Sequence, residues 1–154
     1  MSPIERRLAD AGITLPEAPR PAANYVPATV ANGFLFVSGQ VPMAGGKIVH
    51  VGKVGSEVSL EDGIAAARLC AINVLAQAKA ALDGDLEKIL RCMKVQGFVN
   101  CAPDFGDHPK VINGASDLLV LALGDAGRHA RFAVGAPALP MGSSVEVDAT
   151  FALA

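Results

Sequence analysis

The sequence predicts an α+β domain, a mixed β-sheet with two helices packed on one face. Three observations carry this. The segment closing the chain alternates strictly: Val145, Val147, Ala149 and Phe151 fall on one side, and Ser144, Glu146, Asp148 and Thr150 on the other. A period of two marks a half-buried strand. Between Ser59 and Leu82, Ile64, Ala67, Ala71, Val74, Leu75, Ala78 and Leu82 recur at helical spacing and make one apolar stripe. Finally, Phe34-Leu35-Phe36-Val37 is apolar at both parities, so both faces of that strand ask for cover. Two helices can cover only one face of a sheet. The other face is therefore expected to be buried against further copies of the same chain, as a homo-oligomer.

Taken in order, the 154 residues read as a single domain with an N-terminal arm over 1–20. Residues 2–14 carry Ile4, Leu8 and Ile13 at spacings that suit one or two helical turns, with Gly12 as a stop. Leu15 to Asn24 is Pro-rich and extended. Strands are expected from Tyr25 to Val30 and from Phe34 to Ser38. Asn32-Gly33 joins them, because both central positions of a tight hairpin turn need positive φ. Pro27 marks the first strand as an edge or bulged strand. Gly39 to Pro42 ends the second, and Met43 to Lys47 turns toward Ile48 and Val49. Ser59 caps the long helix, with Glu61 and Asp62 at its positive end and Asp83-Gly84 as its stop. One helical turn over Asp85–Ile89 feeds a strand from Arg91 to Val99. A loop over Cys101–Pro109 precedes a second helix, Val111 to Leu123, ended by Gly124. A short strand carrying Arg131 and the alternating strand complete the chain.

Composition narrows the function classes. A net charge of -2 and 18% charged residues give no basic field, and no Lys/Arg cluster is present for a phosphate backbone. No nucleic-acid partner is expected. Cys70, Cys92 and Cys101 show no C-x-x-C spacing, and His50, His108 and His129 are scattered, so no zinc signature exists. Free thiols in a reducing compartment are expected. The N-terminal residues lack a continuous apolar stretch, so a soluble, cytoplasmic protein without a membrane partner is expected.

Arg131 is the outstanding candidate for chemistry, because a charge among Phe132, Ala133 and Val134 needs a partner or a ligand. Its planar fork fits a carboxylate bidentately. On spacing alone, an ion pair with Glu146 or Asp148 accounts for it equally well. Those two carboxylates, at i and i+2, point the same way from one strand. Ser38-Gly39 ends a buried strand, where glycine lets backbone approach a ligand and serine offers a hydroxyl, although turn chemistry is the default account. Asn113 stands where helices are capped. Tyr25 is the single tyrosine. Cys101 is expected to be structural or incidental, and His108 and His129 to be surface residues and not ligands.

Together these pieces resemble the RidA/YjgF family, also labelled endoribonuclease L-PSP-like. The matching residues are Tyr25 in NYVPATV, FVSGQVP from Phe36 to Pro42, and Val111-Ile112-Asn113; then Ala130-Arg131, Leu139-Pro140, and VEVDA from Val145 to Ala149. The resemblance implies a chorismate-mutase-like fold and a homotrimer with active sites in clefts between subunits. It also implies hydrolysis of reactive imines or enamines, such as 2-aminoacrylate, to 2-keto acids and ammonia, with neither cofactor nor metal. Carried over by position, it implies that Arg131 holds the substrate carboxylate and that Glu146 orients or activates the attacking water. Tyr25, Ser38, Gly39, Asn113 and Ala133 then line the cleft. Ala133 departs from the family, which often has cysteine there, and the Cys101–Lys110 loop is longer than usual.

The resemblance and the residues together favour an imine/enamine deaminase. A trimer that captures a small carboxylate without chemistry is the alternative. Ribonuclease activity, suggested only by the family label, is the least favoured because the chain lacks a basic patch.

Overall fold

The computed structural model describes residues 1–21 and 23–154. A helix α1 (Pro3–Asp10) opens the chain, and strands β1 (Ala28–Ala31) and β2 (Phe34–Gln40) follow. A small ribbon, β3 (Met43–Ala44) with β4 (Lys47–Ile48), precedes the long helix α2 (Leu60–Ala81). Strand β5 (Ile89–Asn100), helix α3 (His108–Leu123), strand β6 (Ala130–Ala136) and strand β7 (Val145–Leu153) follow. The main sheet has the order β1-β2-β7-β5-β6, with only the β5–β6 pair parallel. It is the α+β architecture with a mixed sheet that the periodicities predicted.

The expected turn chemistry holds. Asn32 and Gly33 adopt φ of 51° and 77°, which closes the β1–β2 hairpin. Strand β1 begins at Ala28, not at Tyr25, because Pro27 has no N–H to give the ladder; its carbonyl instead accepts from the Ser38 N–H at 2.9 Å. The β2–β7 register slips between Val37 and Gln40, a bulge that falls on Ser38 and Gly39. Strand β5 and helix α3 both start earlier than the sequence pattern suggested, and α3 takes His108 and Pro109 into its first turn. Asn113 is therefore an interior helix residue, not a cap; Asp107 occupies the cap position.

Three helices, not two, complete the layer. Ser2 and Glu5 form a reciprocal capping box at α1. Ile4 and Leu8 are buried, Arg7 Nε donates to the Ala122 carbonyl of α3 at 2.8 Å, and Glu5 pairs with Lys79 of α2. Of the segment expected to be an N-terminal arm, α1 is docked. Helices α2 and α3 cross closely because Gly114 has no side chain: a Cβ there would lie 2.1 Å from the Ile64 carbonyl oxygen. Among the described residues α2 is long and apolar enough to cross a membrane, with a mean hydropathy of 1.2, yet it packs against β7, β2 and α3 as the core helix.

The helices cover one face only. Leu35, Val37, Val95, Val99, Val145, Val147, Ala149 and Phe151 all point beneath them and are buried. On the other face Phe34 and Phe36 remain 37% and 47% exposed. The doubly apolar strand thus meets its core on one side and is open on the other.

Candidate functional site

Strand β7 alternates as expected, so Glu146 and Asp148 project from the open face, opposite to the buried Val145 and Val147. Glu146 lies against Gly39, where a Cβ would stand 3.0 Å from its Cδ. Glycine at the bulge lets this carboxylate pack directly on the backbone. A cavity of about 100 Å³ opens here, lined by Tyr25, Ser38, Gly39, Gln40, Met141 and Glu146. Gln40 Nε2 donates to the Ser38 carbonyl at 3.2 Å and is 3.4 Å from its hydroxyl. Among the described residues no cation lies within ion-pair distance of Glu146 or Asp148. Burial, followed by the neighbouring Asp148 charge, raises the Glu146 pKa above its ordinary value. Burial also raises that of Asp148, opposed by a hydrogen bond from the Gln96 backbone.

Arg131 is elsewhere. In the parallel ladder it stands opposite Val95, a core residue of the helix-covered face, and its guanidinium reaches α3. Nη1 donates to Ser116 Oγ at 3.0 Å and Nη2 to the Pro109 carbonyl at 3.1 Å. The ion pair with Glu146 or Asp148, the alternative account of this charge, is thus not formed within the chain. In one chain the sheet separates the arginine from both carboxylates, because Arg131 follows the register of Val95 whereas Glu146 follows the opposite parity of β7.

Two residues that sequence reasoning assigned elsewhere, or overlooked, organise this second cluster. His129 is half-buried, not a free surface group. Its Nδ1 is 2.6 Å from the Gly127 carbonyl and its Nε2 is 2.8 Å from Ser116 Oγ. A carbonyl can only accept, so Nδ1 carries the proton and Nε2 accepts from the Ser116 hydroxyl. Ser116 in turn accepts from Arg131. The result is a one-way relay, Arg131 to Ser116 to His129 to the Gly127 carbonyl, that fixes the guanidinium plane. Burial, with the Arg131 charge adding to it and the Gly127 hydrogen bond opposing, lowers the His129 pKa. The available signal was that His129, just before β6, stands two residues ahead of Arg131. Asn113 belongs to the same cluster by helical spacing, four residues after Pro109 and three before Ser116. Ala133, two residues beyond Arg131, shares its face and lies opposite Gly97.

The predicted site residues therefore fall into two groups. Tyr25, Ser38, Gly39 and Glu146 share one cavity; Asn113, Arg131 and Ala133 gather at the edge strand and α3. Arg131 spends two of its five N–H groups on the protein, leaving three for a ligand. Among the described residues no three His, Cys, Asp or Glu side chains cluster in a way that would hold a metal ion.

The chain and its fold match those of a known class. The family model described as YjgF/chorismate mutase-like, "putative endoribonuclease" matches residues 5–152, and the chain belongs to that family. Protein TCP17 of Trypanosoma cruzi is 46% identical over 139 residues, covering 90% of this chain and 86% of that protein. The crystal structure of Atu1372 from Agrobacterium tumefaciens superposes with a TM-score of 0.93 at 51% identity, over 99% of this chain and 93% of that one. An endoribonuclease-like protein from Shewanella oneidensis gives 0.94 at 37% identity, over 97% and 99%. Escherichia coli TdcF, solved with bound serine, shares the fold at a TM-score of 0.65 and 21% identity, over 90% and 94%.

Proposed function

We propose that this protein is a homotrimeric imine/enamine deaminase that converts 2-imino acids of the 2-aminoacrylate type to 2-keto acids and ammonia. The observation that carries the proposal is the division of the site. Glu146 is a half-buried carboxylate without a cation partner, and Arg131 is a braced guanidinium with free donors on the other side of the sheet. Each is half of a site, and a neighbouring copy completes both. The exposed Phe34 and Phe36, opposite Ala152 and Thr150 further along the same open face, supply apolar surface for that contact. TdcF, which shares the fold, holds serine, itself an α-amino carboxylate.

In this site Arg131 grips the substrate carboxylate by its fork. An enamine first takes a proton at its terminal carbon, for which a carboxyl with a raised pKa is suited. Water then adds to the iminium carbon and returns one proton to Glu146, which passes it to the nitrogen and takes up the hydroxyl proton as the C–N bond breaks. Collapse of the resulting carbinolamine expels ammonia and leaves the keto acid. An imine carbon is already electrophilic, so positioning and one proton carrier suffice.

The test supplies 2-aminoacrylate from a dehydratase and follows keto-acid release. Wild type should accelerate release and Arg131→Ala should lose about a hundredfold in kcat/KM, the loss expected for one charged hydrogen-bonding pair. Saturable, Arg131-dependent binding of a keto acid without turnover of any imine would replace this proposal with the carboxylate-binding one.

A further inference from the structure

Beyond the cleft just described, a thiol and an imidazole meet where β5 ends and α3 begins. Cys101 Sγ is 3.4 Å from His108 Nε2. The Phe105 ring packs edge-on against the His108 ring, with centroids 5.3 Å apart, and holds it in place. Both residues line an open cavity of about 460 Å³, walled mainly by Phe105, Pro103, Ala136 and Pro137. The neighbouring residue of β6 is Gly135. Its φ lies outside the left-handed region, so the backbone does not call for glycine. Space does: a Cβ there would stand 2.9 Å from His108 Nε2 and 3.1 Å from Cys101 Sγ. That missing side chain leaves a position about 3 Å from both reactive atoms, where the reacting carbon of a ligand can sit.

Lys53 also lines the cavity. Its ammonium donates to Asn100 Oδ1 at 2.9 Å and to the Pro137 carbonyl. With three N–H groups and two engaged, one remains for a ligand oxygen.

The geometry points to Cys101 as a nucleophilic centre for α,β-unsaturated carbonyl compounds, with His108 as its base and Lys53 as the cation that meets the carbonyl oxygen. The class follows from the layout. Sulfur is a soft nucleophile, the walls are apolar, and among the described lining residues the free cationic donor belongs to a separate lysine. Conjugate addition suits such a layout because it delivers negative charge to an oxygen three atoms from the attacked carbon, not beside the sulfur. The step balances without a co-reactant. The thiol proton passes to His108 Nε2 as the S–C bond forms at the β-carbon. The C=C electron pair moves to give an enolate at Lys53, and the imidazolium returns the proton to the α-carbon. Burial holds the Cys101 thiol above its ordinary pKa, opposed by the Lys53 charge, so the resting group is a protonated thiol that needs this base. Cys70 and Cys92, both fully buried, have no such pairing among the described contacts.

The test treats native protein with N-ethylmaleimide near neutral pH and follows the adduct by intact mass and peptide mapping. One adduct, at Cys101, should form, while Cys70 and Cys92 stay free. His108→Gln should slow it about a hundredfold. Gly135→Val should block it without altering either reacting residue. Labelling of Cys101 at the wild-type rate in His108→Gln, or no faster than that of the two buried thiols, overturns the proposal. His108→Gln serves alone if Gly135→Val does not fold, and imine turnover plays no part in the readout.

Discussion

The two faces of the sheet follow different rules although the same strands build them. Under the helices, Leu35, Val37, Val95, Val147 and Phe151 close a continuous core. On the open face the intervening positions hold Phe34, Phe36, Glu146 and Asp148, half-buried or exposed and without ion-pair partners among the described residues. The first face looks finished in one chain and the second unfinished. Substrate chemistry and assembly, in this account, are both drawn from the unfinished face and from the sheet edge that carries Arg131.

That contrast can be broken in stages. Phe151→Ala on the covered face should cost about 3–5 kcal/mol of unfolding free energy, since it leaves a cavity in a closed core; denaturant unfolding measures it. Phe36→Ala on the open face should cost a single chain much less and instead lower the assembly mass seen by light scattering. An equal stability loss without any change of mass would remove the distinction between the faces. Next in size, Ser116→Ala or His129→Gln should raise KM about tenfold at near-constant kcat, because each loosens the brace on a carboxylate-binding guanidinium. A loss confined to kcat would instead place these residues in the chemistry.

The smallest effect concerns pH. The folded-state pKa values of Glu146 and Asp148 are raised, so the folded chain binds protons more tightly than the unfolded one. Their contribution to stability is present below the ordinary carboxylate values, 4.5 for Glu and 3.8 for Asp, and is lost as pH rises through the higher folded values. Glu146→Gln should flatten that fall in an acid-to-neutral series of unfolding midpoints. A steeper fall in the variant would contradict burial as the cause of the shift.

Much of the fold was legible because periodicity and turn chemistry are local. The alternation of Val145 to Phe151, the helical stripe after Ser59 and Asn32-Gly33 each specify their element without help from distant residues. The boundaries that moved did so for tertiary reasons: β1 lost Tyr25 to Pro27, and α3 gained His108 from a stretch that reads as loop. Docking of α1 on α3 depends on contacts such as Arg7 to the Ala122 carbonyl, which no local pattern reveals. The residue types of the site were also legible, since a charge in an apolar strand and a glycine at a strand end are visible in the sequence. Their grouping was not. Whether Arg131 faces Glu146 depends on parity carried across β5 from β7, and a parallel pair at the edge is not written in spacing. For the same reason His129 and Ser116, distant from the motifs, entered only through their hydrogen bonds.

The proposed function brings Arg131 of one subunit and Glu146 of another together in each site. Subunit complementation tests it most directly: Arg131→Ala and Glu146→Gln proteins, each inactive alone, are unfolded, mixed in equal amounts and refolded. If sites are shared around a trimer, random mixing restores about one native site in four, and about a quarter of wild-type keto-acid release returns. No recovery in mixed trimers whose composition is verified by native mass would show that both residues serve from the same chain, and the divided site would be wrong.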